Sequence, residues 1–179
     1  MKKGLALTRG MIILVVAMAV VIVAAVGVGI WALTARSFPV ITPDYAPNEM
    51  EENAEKIEGE DDTTKLEAAE GGGAVEIQFT KSVTVDLSDK TAYLDFKNPS
   101  KSTQQMVVQL WAHDEIVAQS GAIKPGYKVG KLDLLPGAAN KFGGVGGYNG
   151  KLVILNYNEE TGEKAMVNID VVVTINVVQ

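Results

Sequence analysis

The chain has 179 residues, a net charge of −6, no cysteine and one histidine; this excludes disulfides, thiolate zinc sites and cysteine nucleophiles, and leaves few routes to acid–base catalysis. Charge is unevenly spread: residues 36–74 hold eleven Asp and Glu against Arg36, Lys56 and Lys65, while residues 75–179 carry eleven acidic and ten basic side chains. A nearly neutral C-terminal part gives no basic footprint for a phosphate backbone, so no nucleic-acid partner is expected.

The first element is "RGMIILVVAMAVVIVAAVGVGIWALTAR", which has no charge between Arg9 and Arg36. As a helix, residues 11–33 would extend about 35 Å, enough for a hydrocarbon core of ~30 Å. Lys2, Lys3 and Arg9 precede the run, and acidic residues take over after Arg36. The positive-inside rule then places the N-terminus in the cytoplasm and the rest outside. Residues 1–35 are therefore expected to be a retained signal anchor that meets membrane lipid through residues 11–33. A cleaved signal peptide fits less well, because its apolar core is about 7–15 residues and Leu33-Thr34-Ala35 is bulky at the first position. A basic leader followed by Gly10 also outlines a prepilin site. Val15, however, stands where most pilins carry Glu, and Pro39 would stop the long pilin helix.

Residues 36–74 read as a flexible acidic linker. Asn48 can cap a first helical turn and Gly59 can end it; Asp62 or Thr63 can start a second, ending at Gly71. Apolar positions are too few to bury either helix, and Gly71-Gly72-Gly73 is a swivel. A calcium site would need an Asp-x-Asp-x-Asp-Gly loop, which is missing. The tether would span roughly 35 Å.

From residue 75 to 179 the apolar period becomes two. Val83/Val85/Leu87, Leu94/Phe96, Met106/Val108/Leu110 and Leu132/Leu134 alternate with polar neighbours. The last run is the longest: Ala165, Val167, Ile169, Val171, Val173, Ile175 and Val177 share one parity. Such runs are half-buried strands of an antiparallel sheet. Turn residues separate them at Asn98-Pro99-Ser100, His113-Asp114-Glu115, Pro125-Gly126 and Glu159-Glu160-Thr161-Gly162. Seven or eight short strands predict an all-β extracytoplasmic domain, an antiparallel β-sandwich of immunoglobulin-like size without its cysteine pair.

The stretches "FKNPSKSTQQMVVQLWA", "IVAQSGAIKPGYKVGKLDLL" and "GKLVILNYN" carry a resemblance. Asn98-Pro99, then Ser120-Gly121-Ala122-Ile123-Lys124-Pro125-Gly126, then Leu132/Leu134 and a strand led by Gly150 resemble a group of small membrane-anchored or exported β-sandwich proteins of Gram-positive bacteria. The resemblance covers about residues 83–177. It implies architecture and location, and no activity. "PGAANKFGGVGGYNG" departs from that pattern, where the group has a shorter turn.

No constellation for catalysis, cofactor or metal stands out. His113, Asp114 and Glu115 read as a hairpin turn, and "GGVGGYNG" as a flexible loop that leads into a strand and not into the helix a phosphate loop requires. Val107 and Trp111 lie on the parity opposite Met106, Val108 and Leu110, so they are expected to face outward; the glycines around Phe142 and Tyr148 would let those rings adapt. These four residues form the candidate partner surface. The expected function is a non-enzymatic, membrane-anchored binding or scaffolding protein that meets another protein at the cell surface. A subunit of an exported filament or pilus-like assembly is the alternative.

Overall fold

The computed structural model describes residues 43–60, 64–68 and 72–179, together with Met18. Apart from Met18, the expected anchor and the helix signals at Asp62, Thr63 and Gly71 lie outside the described residues. No helix among the described residues is long and apolar enough to cross a membrane.

The alternating runs become strands, and four further strands join them. They are β1 (Ala54–Lys56), β2 (Gln78–Phe79), β3 (Ser82–Asp86), β4 (Thr91–Asn98), β5 (Gln104–Ala112), β6 (Glu115–Gln119), β7 (Tyr127–Asp133), β8 (Gly146–Asn158) and β9 (Ile169–Val178), with one 3-10 turn at Ala138–Lys141. Hydrogen bonds join them in the order β1-β7-β4-β3-β9-β8-β5-β6, with β2 added beside β4. The sheet curls so far that its far strands meet: Ala118 of β6 bridges to Leu134, and Leu135 N–H donates to Val117 O at 2.9 Å.

Alternation puts one face of this curled sheet inside. Val83, Val85, Leu94, Phe96, Met106, Val108, Leu110, Leu132, Val173, Ile175 and Val177 form one buried cluster on the parities expected from sequence, joined by Leu152 and Ile154. The last strand is shorter than its apolar pattern. It begins at Ile169, and Val167 lies before it, exposed.

Three expectations are corrected. The sheet is mixed, because β9 runs parallel to β3 while pairing antiparallel with β8; alternation fixes which face is buried but carries no strand direction. The acidic segment is not a free tether up to residue 74. Val40–Gln179 forms one compact unit, and β1 pairs antiparallel with β7. The chain from Asn48 to Gly59 contains this strand, bends and turns, and no helix. Finally, the glycine-rich stretch is not a loop throughout, since Gly146, Gly147 and Gly150 belong to β8 and pair with Val177, Asn176 and Val173 of β9.

The docking of the acidic segment has a local cause. Gly121 has no side chain, so residues 49–51 cross its backbone closely. A Cβ there would lie 2.9 Å from Glu51 N. Glu51 N–H donates to Ala122 O and Ala122 N–H to Glu49 O, both at 3.0 Å, and Gly121 N–H donates to the Glu51 carboxylate at 2.7 Å. The rest of the Ser-Gly-x-Ile-x-Pro-Gly stretch is also structural. Ser120 Oγ accepts from Val108 N at 2.8 Å. Buried Asn98 donates through Nδ2 to Gln104 O and Ile123 O, each at 3.0 Å. Gly126 turns the chain at φ 84°.

Candidate functional site

The register of the sheet aligns one rung on its outer face. Trp111 of β5 stands opposite Lys151 of β8, and Lys151 stands opposite Val172 of β9. Lys151 Nζ lies 4.9 Å from the centre of the Trp111 ring and 3.4 Å from Asp170 Oδ2. The lysine thus has a π face on one side and a carboxylate on the other. The indole is held at its edge: Trp111 Nε1 donates to Gln109 Oε1 at 3.1 Å, and Gln109 Nε2 donates to Gln119 Oε1 at 2.7 Å. The ring plane is therefore fixed before anything binds.

At the end of this rung, His113 and Asp114 form a two-residue hairpin loop between β5 and β6, with φ 52° and 59°. Both positive angles suit the tight turn whose twist matches the flanking strands. Trp111, His113, Asp114, Asn149, Lys151 and Val172 line an open hollow of about 450 Å³. Val172 is 76% exposed, so its apolar surface is left to solvent. Among the described residues, no group of three or more His, Asp or Glu side chains could hold a metal ion.

The structure separates the four residues expected at the partner surface. Trp111 is half-buried and faces outward, as its parity requires. Val107 has the same parity but is buried, at 2% exposure. It forms a second apolar cluster with Val153, Leu155 and Tyr157, against which Ala46 and Trp111 pack. The correction follows from the docked acidic segment, which passes over this part of the face. Phe142 is buried in the main core, and it meets Tyr148 edge-on with ring centres 5.4 Å apart. Tyr148 is half-buried, donates its hydroxyl to Gly144 O at 2.8 Å and meets the His113 ring at 5.6 Å. These contacts pack both rings against the domain, Phe142 inside the core and Tyr148 at its edge. Sequence reasoning missed Lys151, Asp170 and Asn149, because only the β5–β8–β9 register brings them to Trp111.

Tyr157 marks the covered end of the same face. It is buried and donates its hydroxyl to Pro43 O at 3.2 Å. Burial, helped by the nearby negative charge of Asp44, raises its pKa above the ordinary phenol value. No protein-family model and no curated protein matches the chain.

Proposed function

We propose that this chain is a membrane-anchored extracytoplasmic protein whose β-domain binds or scaffolds another protein and catalyses no reaction. The observation that carries this reading is the outer rung of Trp111, Lys151 and Val172. A pre-fixed aromatic, an exposed aliphatic and a paired charge share one open surface. That mixture suits a protein interface, where buried aromatic anchors carry most of the energy and charges lie at the rim. It does not suit an enclosed reaction centre. The uncharged run at residues 11–33, with its basic leader, supports the anchor and the outward orientation.

The fold reading that accompanies this is a curled β-sandwich. β1, β7 and β4 form one half, while β9, β8, β5 and β6 form the other. Phe96 and Leu132 from the first half share a core cluster with Ile154 and Ile175 from the second, which supports the two-layer description. The resemblance of residues 83–177 to anchored or exported β-sandwich proteins of Gram-positive bacteria agrees with it.

The test is capture of surface proteins by the full chain, with Trp111→Ala and Val172→Ser compared with the parent. Loss of a central aromatic anchor should cost about 2 kcal/mol, roughly thirtyfold in affinity. If both variants melt like the parent and keep full capture, this rung is not the binding surface.

A further inference from the structure

We infer that the β8–β9 hairpin end of the domain rests on the lipid surface, with Met166 and Val167 entering the headgroup region. This rests on the anchor reading above. Met166 is fully exposed and Val167 is 69% exposed, neighbours in sequence before β9 begins. Tyr45, 61% exposed, pairs with Glu163 on the same hairpin. The loop is seated and not loose: Asn156 Nδ2 donates to Val167 O at 3.4 Å, and Ala165 N–H donates to Asn156 O at 2.8 Å.

The path of the chain names the occupant. Ala46 N–H donates to Gly162 O and Lys164 N–H donates to Asp44 O, both at 2.8 Å, and Tyr157 donates to Pro43 O. The part of the domain nearest in sequence to the apolar run is thus fastened to this hairpin. Leu33 and Pro43 are ten residues apart, a reach of at most ~36 Å. If a bilayer holds residues 11–33, that connection tethers this end of the domain to it. At such effective concentrations, weak insertion of two aliphatic side chains suffices. Charge narrows the kind of surface. Glu159, Glu160 and Glu163 lie on the same hairpin and are exposed. Glu159 is paired with Lys65 at 4.0 Å, and Lys164 adds one positive charge. With Asp44 beside it the end stays net negative, so anionic headgroups would repel it. The contact is apolar insertion into a zwitterionic surface.

Because the chain has no cysteine, single probes can be placed cleanly. Met166→Cys, Val145→Cys and Ala25→Cys would each carry an environment-sensitive fluorophore in the full chain, reconstituted alone into phosphatidylcholine vesicles containing spin-labelled lipid. Val145 is the control: it is apolar, 64% exposed, and sits next to Gly146 at the opposite end of β8. The expected result is deep quenching at Ala25, shallow quenching with a blue shift at Met166, and neither at Val145. Quenching at Ala25 without quenching at Met166 overturns the surface contact and leaves the anchor standing. Equal quenching at Met166 and Val145 overturns the specific contact, and would mean that the domain adheres without preference. No quenching at Ala25 overturns the anchor reading and the contact with it. A protein occupant of the patch would appear as an unquenched Met166, since no second protein is present.

Discussion

Gly121 shows how one missing side chain decides where a segment goes. Its hypothetical Cβ would meet backbone atoms on two sides, 2.9 Å from Glu51 N and 3.0 Å from Glu49 O. Backbone cannot swing aside as a side-chain tip can, so Gly121→Ala should push residues 49–51 off the domain. The expected cost is about 1–3 kcal/mol, read as a lower urea midpoint; an unchanged midpoint would mean that the crossing contributes nothing to stability. Tyr157 makes a second prediction at this scale. Its pKa is raised in the folded chain by burial and then by Asp44, so the folded state holds the phenol proton more tightly than the unfolded state. The associated stability is complete below the unfolded phenol value of about 10 and is lost as pH rises through the higher folded value. Tyr157→Phe should cost about 0.5–1.5 kcal/mol at neutral pH, through the lost bond to Pro43 O. It should also lose less stability than the parent between about pH 9 and 11, as measured by denaturant titration across that range. Equal slopes would show that Tyr157 does not contribute to alkaline sensitivity.

Among the elements, β1 and the segment before it contribute more than their composition suggests. They cover one edge of β7 and pass beside Val107, Val153, Leu155 and Tyr157. A chain beginning at residue 75 should therefore be less stable than one beginning at residue 43, by about 2 kcal/mol or more. Parallel thermal and urea melts check this, and coincident curves would return the segment to the role of a tether. The core strands were legible because burial on one face imposes a period of two, and Val83, Phe96, Val108 and Ile175 fall on it. The acidic segment was not legible because nothing in it is periodic. What holds it is hydrogen bonding to backbone groups such as Gly121 N–H and Gly162 O, a property of the chain it docks on. The same limit applies to the candidate site. The outward parity of Trp111 could be read from its neighbours, while the burial of Val107 depended on what crosses above it. Lys151 could be found only from register. Gly150, which ended the glycine-rich stretch read as a loop and also led the strand in the resemblance, is a strand residue whose added Cβ would approach Trp111 O to 2.7 Å and strike Ile175.

For the molecule as a whole, the asymmetry of charge makes the sharpest claim. Lys2, Lys3 and Arg9 lie before the apolar run, Arg36 just after it, and Lys56 is the next basic residue. On the proposed anchor reading, three cationic side chains stay on the cytoplasmic side, which would place everything after Arg36 outside. Trypsin added to intact cells should cut after Arg36 and release a fragment that starts at Ser37, while a cytoplasmic marker protein remains whole. The released domain should keep its β-sheet, because the compact unit begins at Val40, beyond the cut. Two other outcomes are distinct and would each sink the proposal. Fragment released without protease and starting near residue 36 would mean that the run is removed on export. Domain that resists trypsin until the membrane is opened would mean that the orientation is reversed. Orientation decides more than location: only an outward-facing domain can present Trp111 and Val172 to another protein at the cell surface, so this result sets whether the proposed binding role is physically available to the chain.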